Sequence, residues 1–174
     1  EMIWARWDMR AVIAEQPVIP DVQVELGDYA TKLMRELQPF SDKSPDWWRR
    51  VAAAVTNPQG RRLAMAYNRH VPDEYETYIF GDPAINRDAG QKGKSVALHA
   101  EAAVIGECAK HGYVLNNGKI YITTFPCEGC AALIVQAGIK EVYFLEGYSS
   151  LNAMDSFRRA GVKLFQVKGN PVSA

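Results

Sequence analysis

The sequence predicts an α/β protein in which a mostly parallel sheet is sandwiched by helices. Three observations carry that expectation. Strand-like and helix-like stretches alternate through the C-terminal half, and such alternation implies crossover connections between parallel strands. Upstream, two apolar-rich runs are joined by Asn57-Pro58-Gln59-Gly60, the residue types of a tight hairpin turn. The 174 residues, 48% apolar and 23% charged, have the size and composition of one globular domain with a real core.

Residues 1–25 contain Trp4, Trp7, Pro17 and Pro20 without a sustained period, so they read as an N-terminal extension strapped over a single domain spanning 26–174. Within 26–37, Leu26, Tyr29, Ala30, Leu33, Met34 and Leu37 recur at three and four, the spacing of an amphipathic helix that Pro39 stops. Residues 48–56 and 61–68 are the hairpin strands. The polar, Gly/Asp/Pro-rich stretch 69–95 reads as an irregular loop, and loops of that length are more often functional than idle. An alanine-rich helix over 96–110 follows, capped by Ser95 and ended by Gly112. Then come a strand over 119–125, a helix over 127–137 ended by Gly138, a strand over 141–145, a helix over 150–160 and a last strand over 162–167. No internal repeat is visible.

Charge and cysteine usage narrow the function classes. Twenty basic residues balance twenty acidic ones, which removes the general positive field of non-specific nucleic-acid binders and leaves at most a local basic groove. No apolar run reaches the ~18 residues of a membrane helix, and no secretory leader pattern is present, so a cytoplasmic protein with no membrane partner is expected. Cys108, Cys127 and Cys130 are an odd set that makes a poor disulfide framework. Two of them three apart suit a metal.

The chemistry concentrates in His99-Ala100-Glu101 and Pro126-Cys127-Glu128-Gly129-Cys130. Two cysteines separated by two residues at a helix start can aim both sulfurs at one ion, and an imidazole from a neighbouring helix start adds a third ligand. Zinc with three protein ligands and water in the fourth place is the catalytic pattern, whereas four protein ligands make a structural site. Cys108, His70 and His111 are the candidates for a protein fourth ligand, and none has an obvious spacing, so water is favoured. Two thiolates neutralise the dication, so that water needs outside help to lose its proton, and Glu101 is placed to give it. Both helix N-termini bring partial positive charge to the site.

His-x-Glu followed by Pro-Cys-x-x-Cys is an established signature. On it, residues 48–167 resemble the zinc-dependent cytidine and deoxycytidylate deaminase superfamily. The stretch Thr124-Phe125-Pro126-Cys127-Glu128-Gly129-Cys130-Ala131, then Ile134 and residues 136–142, together with Tyr67-Asn68, looks most like the deoxycytidylate group. The resemblance implies a three-layer α/β/α fold around a five-stranded mixed sheet whose last two strands are parallel. It further implies one zinc ion on His99, Cys127 and Cys130, and hydrolysis of a deoxycytidine nucleotide, dCMP first, to the deoxyuridine nucleotide and ammonia. By the same likeness Glu101 takes a proton from the attacking water, protonates ring N3 and passes a proton to the leaving ammonia. The backbone of Ala100 lies near the pyrimidine O2, Asn68 bonds the sugar or the attacking oxygen, and the protein is a homo-oligomer.

The chain departs from that pattern after Asn68, where Arg69-His70-Val71-Pro72 and an acidic aromatic run replace a small Gly-containing approach. The phosphate-binding side chains therefore do not carry over, and Arg69, Arg87, Lys92 and Lys94 are the cations near the site in sequence. Trp47, Trp48 and Tyr148 are aromatics able to stack on a base, although a packing role is the commoner one. Cys108 reads as a small buried apolar residue, and His70 as a candidate for a second metal. Residues 91–95 end Gly-Lys-Ser but lack the first glycine of a phosphate loop. Two rivals remain. A polynucleotide deaminase shares every catalytic residue but wants a basic groove, and a non-catalytic zinc module has no need of Glu101. Enzymes of the superfamily that act on adenine in tRNA carry Glu where this chain has Phe125.

Overall fold

The computed structural model describes residues 17–24, 29–46, 49–75, 97–147 and 153–168. Their chain order is β1 (Val22–Val24), α1 (Tyr29–Ser41), β2 (Ala52–Thr56), β3 (Arg62–Tyr67), β4 (Arg69–His70), β5 (Ala97–Leu98), α2 (Ala100–Lys110), β6 (Lys119–Thr124), α3 (Glu128–Gln136), β7 (Glu141–Glu146), α4 (Ala153–Arg159) and β8 (Lys163–Val167). Arg87, Lys92, Lys94, Ser95, Trp47, Trp48, Tyr148 and most of the N-terminal extension lie outside the described residues.

The main sheet has the order β1-β8-β7-β6-β2-β3. The hairpin β2–β3 and the β2–β6 pair are antiparallel, while β6, β7, β8 and β1 run parallel. The sheet is thus mixed, with its last two strands parallel as expected, but it has six strands rather than five. The extra one, β1, lies in the segment read as an extension. Three residues are too few to show a period, so only tertiary pairing defines it: Val22 to Val24 lie beside Phe165 to Val167, and the Asp21 carboxylate accepts the Leu164 N–H at 2.8 Å.

Alternation along each strand builds two cores. Ala53, Val55, Ile120, Ile122, Val142, Phe144 and Leu164 face one side, where they meet Ala100 and Val104 of α2, Ala131 and Ile134 of α3, and Phe157 of α4. Ala52, Ala54, Tyr121, Tyr143 and Val167 face the other, against Ala30, Leu33, Met34 and Leu37 of α1. The result is the three-layer α/β/α arrangement. Alanine is a poor strand former, yet β2 is mostly alanine and wholly buried. Its place between β3 and β6 overrides propensity, and its small side chains let helices approach both faces.

Two helix boundaries differ from those expected. Pro39 lies inside α1, which runs on to Ser41. Near the end of a helix, proline removes only one late backbone bond, and the Ser41 hydroxyl donates to the Gln38 carbonyl at 2.6 Å to close the turn. The helix expected from residue 96 begins at Ala100, because Ala97 and Leu98 pair with His70 and Arg69 instead. Alanine-rich propensity is a weak prior against such pairing. The helix ends follow the glycines. Gly112 and Gly138 adopt φ of 69° and 78° just past α2 and α3. In each case the next residue's N–H bonds back five residues, Tyr113 to Cys108 and Ile139 to Ile134.

A candidate metal centre

Three side chains converge where β5 meets α2 and where β6 meets α3. His99 Nδ1 lies 3.5 Å from Cys127 Sγ and 3.4 Å from Cys130 Sγ. All three ligand atoms lie within 4.8 Å of one another. Tetrahedral zinc, with Zn–S near 2.3 Å and Zn–N near 2.05 Å, places its nitrogen about 3.5 Å from each sulfur. The donor set and its spacing therefore fit one zinc ion. Cys108, His70 and His111 do not join it: among the described residues the cluster holds three ligands. Cys108 is enclosed in the helical core, His70 faces Glu74 at 3.5 Å, and His111 pairs with Glu107 at 2.9 Å.

Local backbone explains the convergence. His99 and Cys127 are the N-cap residues of α2 and α3, both extended (φ −61°, ψ 150° and φ −71°, ψ 169°), and neither side chain caps its own helix. Cap positions usually carry Ser, Thr, Asp or Asn to satisfy the first N–H groups. Here the cap side chains turn to each other, so the N-termini of two helices meet at one ligand cluster. Phe125 anchors the turn into α3, its ring packed against Phe144 at 5.0 Å and Phe157 at 6.2 Å. Cys130 follows one turn later on the same face.

The protons of the cluster are shared. The hydrogen bond from Cys130 pulls the Cys127 thiol well below its ordinary range, with His99 assisting, and the same bond plus burial pushes Cys130 up. The His99 imidazole is raised, first by its bond to Cys127 and, against the opposing effect of burial, by the charges of Glu101, Cys127 and Asp46. A metal takes the place of these protons. Glu101, the second residue of α2, is only 4% exposed. Burial raises its carboxyl above the usual range, opposed by its own backbone N–H and by His99. A carboxyl so placed holds its proton more readily than an exposed one, as a group that accepts and returns a proton requires.

The remaining site residues are placed unevenly. Ala100 is fully buried at the first position of α2. Arg69 is exposed and pairs with Leu98 in the two-strand ladder. Asn68 is buried, and its side chain serves the main chain: Nδ2 donates to the Arg49 carbonyl and Oδ1 accepts from Val51 N–H, each at 2.8 Å. Sequence reasoning missed Ser44 and Asp46. The Ser44 hydroxyl bonds the Asn68 carbonyl at 2.7 Å, and Asp46 is close enough for its charge to act on His99. Ser44-Pro45-Asp46 reads as an ordinary turn, and nothing in its spacing points to a histidine more than fifty residues away.

A mixed α/β/α sheet with this centre at two helix starts defines a zinc-binding deaminase domain. The family model of the cytidine and deoxycytidylate deaminase zinc-binding region matches residues 28–146, and the chain belongs to that family. It is 42% identical over 72 residues to ComE operon protein 2 of Bacillus subtilis, covering 41% of this chain and 38% of that one. It is 32% identical over 107 residues to the probable deoxycytidylate deaminase of Drosophila melanogaster, covering 59% and 52%. The matches thus span about half or less of these curated relatives. The dCMP deaminase of cyanophage S-TIM5, solved with dCMP and dUMP, shares the fold at a TM-score of 0.62 and 23% identity, over 79% of this chain and 94% of that one.

Proposed function

We propose that the protein hydrolyses a deoxycytidine nucleotide, dCMP first, to the deoxyuridine nucleotide and ammonia. The observation that carries this reading is Glu101, an acid buried beside a three-ligand cluster. A structural zinc site has no use for such a group. Relatives named deoxycytidylate deaminase, in Drosophila, phage T4 and human, support the choice of substrate.

His99, Cys127 and Cys130 would hold one zinc ion, whose chemistry would be to make a water acidic enough to serve as the nucleophile near neutral pH. Glu101 accepts a proton from the attacking water, delivers it to ring N3 as C4 becomes tetrahedral, and carries a second to the amino group leaving as ammonia. The carboxyl is raised by burial, which suits it to both directions of transfer. The α2 N-terminus offers the Ala100 backbone to the pyrimidine O2, and Asn68 reaches the sugar with the N–H and lone pair its backbone bonds leave over. Arg69, Lys92 and Lys94 supply cations for the 5′-phosphate. We propose a homo-oligomer in the cytoplasm, to be tested by light scattering and cell fractionation. Replacing Glu101 with Gln tests the central role: ammonia release should fall at least about a hundredfold with zinc content unchanged, and a retained rate would overturn it.

A further inference from the structure

We infer that Ser44 is a positioning residue for the substrate, holding Asn68 and, with it, segments 44–46 and 49–51 in place. The inference rests on the nucleotide reading above. Extending the β4–β5 register, Arg69 opposite Leu98 and His70 opposite Ala97, by one residue sets Asn68 opposite His99. Asn68, just before β4, and His99, just after β5, therefore lie at the same end of this ladder. Its polar groups are tied to one neighbouring segment. Asn68 N–H donates to the Val51 carbonyl at 3.0 Å, Val51 N–H returns to Asn68 Oδ1, and Asn68 Nδ2 donates to the Arg49 carbonyl. The Asn68 carbonyl is taken by Ser44 Oγ, whose residue is 2% exposed.

The same hydroxyl also accepts the Asp46 N–H at 3.2 Å, and Asp46 Oδ1 in turn accepts the Arg49 N–H at 2.9 Å. Where β2 begins, Ala52 N–H is held by Thr123 Oγ1 at 3.1 Å. Side chains thus replace main-chain partners on both flanks of the strand's start, and segments 44–46 and 49–51 are tied to Asn68 and to each other. A loop held in one shape meets a ligand without having to be ordered by it. Loosening it lowers the fraction of binding-competent protein, and the apparent affinity falls by that fraction. The metal ligands and Glu101 belong to α2 and α3, so the chemical step stays intact once substrate is bound.

The test is Ser44→Ala in the zinc-loaded protein, a change that removes only the hydroxyl. KM for dCMP should rise about fivefold, the size of one lost hydrogen bond, with kcat within about twofold and zinc content unchanged. Amide exchange at Val51 should quicken by a similar factor while Val104, in the body of α2, keeps its protection. Unchanged KM with unchanged exchange at Val51 overturns the inference, and so does a joint fall in kcat, zinc content and α2 protection, which would mark a general structural role. If the unaltered protein turns over no nucleotide, the functional reading fails separately. Exchange then judges the clamp alone: unaltered Val51 protection in Ser44→Ala overturns it, and selective loss there sustains it.

Discussion

Two buried groups sit on or near α2 with opposite fates. Glu101 faces the ligand cluster and titrates in a setting made of burial, a backbone N–H and His99, whereas Cys108, two turns on, meets only core. Burial, then the charge of Glu107, pushes the Cys108 thiol up from its ordinary value. The fold therefore keeps the neutral thiol. That contribution is complete below the unfolded thiol value and is lost as pH rises through the folded one. Alkylation at pH 8 after chelation should label Cys127 but spare Cys108 until the protein is unfolded. Labelling of Cys108 in the native protein would contradict its place in the core. At this scale the ligands were legible because Cys-x-x-Cys and His-x-Glu put metal chemistry at fixed short spacings. The backbone work of Asn68 was not, since its partners Arg49 and Val51 are set by register rather than by local sequence.

Among elements, the glycines separate packing from propensity. Gly106 lies within α2, where an added Cβ meets nothing within 4 Å. Gly106→Ala should stabilise the protein by roughly 0.5–1 kcal/mol, since glycine in a helix interior carries that penalty. Gly118, at the start of β6, is the reverse: a Cβ there would lie 2.7 Å from the Thr56 carbonyl oxygen and 2.8 Å from that of Leu115. Gly118→Ala should cost about 1–3 kcal/mol, because backbone must move to admit it. Denaturant titration of both variants checks the pair, and equal effects would contradict the packing described for β6. Glycine signals at the ends of α2 and α3 were readable from sequence because a positive φ after a helix demands that residue. The starts of those helices were less so. His99 and Cys127 occupy cap positions without capping, so the usual Ser, Thr or Asp cue was absent and Ser95 drew the start of α2 too early.

Across the whole molecule, alternating strands and helices announced the layered sheet, and the paired cores on its two faces confirm it. Strand β1 escaped notice because its pairing partner is β8, more than 140 residues away. No helix among the described residues is long and apolar enough to cross a membrane. The metal ties the starts of α2 and α3 together and is expected to add stability as well as chemistry. At a hundredfold excess over Kd, binding contributes about 2.7 kcal/mol, or roughly 5–10 °C in Tm for a chain of this length. Scanning calorimetry before and after chelation should show that shift, and an unchanged Tm would argue against a site at these helix starts.

The central claim is hydrolysis at this centre, and ammonia release tests it most directly. Zinc-loaded protein would be given dCMP, dCTP, deoxycytidine, cytosine and a cytosine-containing oligonucleotide, each beside a chelated control and the Glu101→Gln variant. The account predicts turnover of a deoxycytidine nucleotide, dCMP foremost, lost both on chelation and in the variant. Turnover of the oligonucleotide alone, or of nothing, would contradict it.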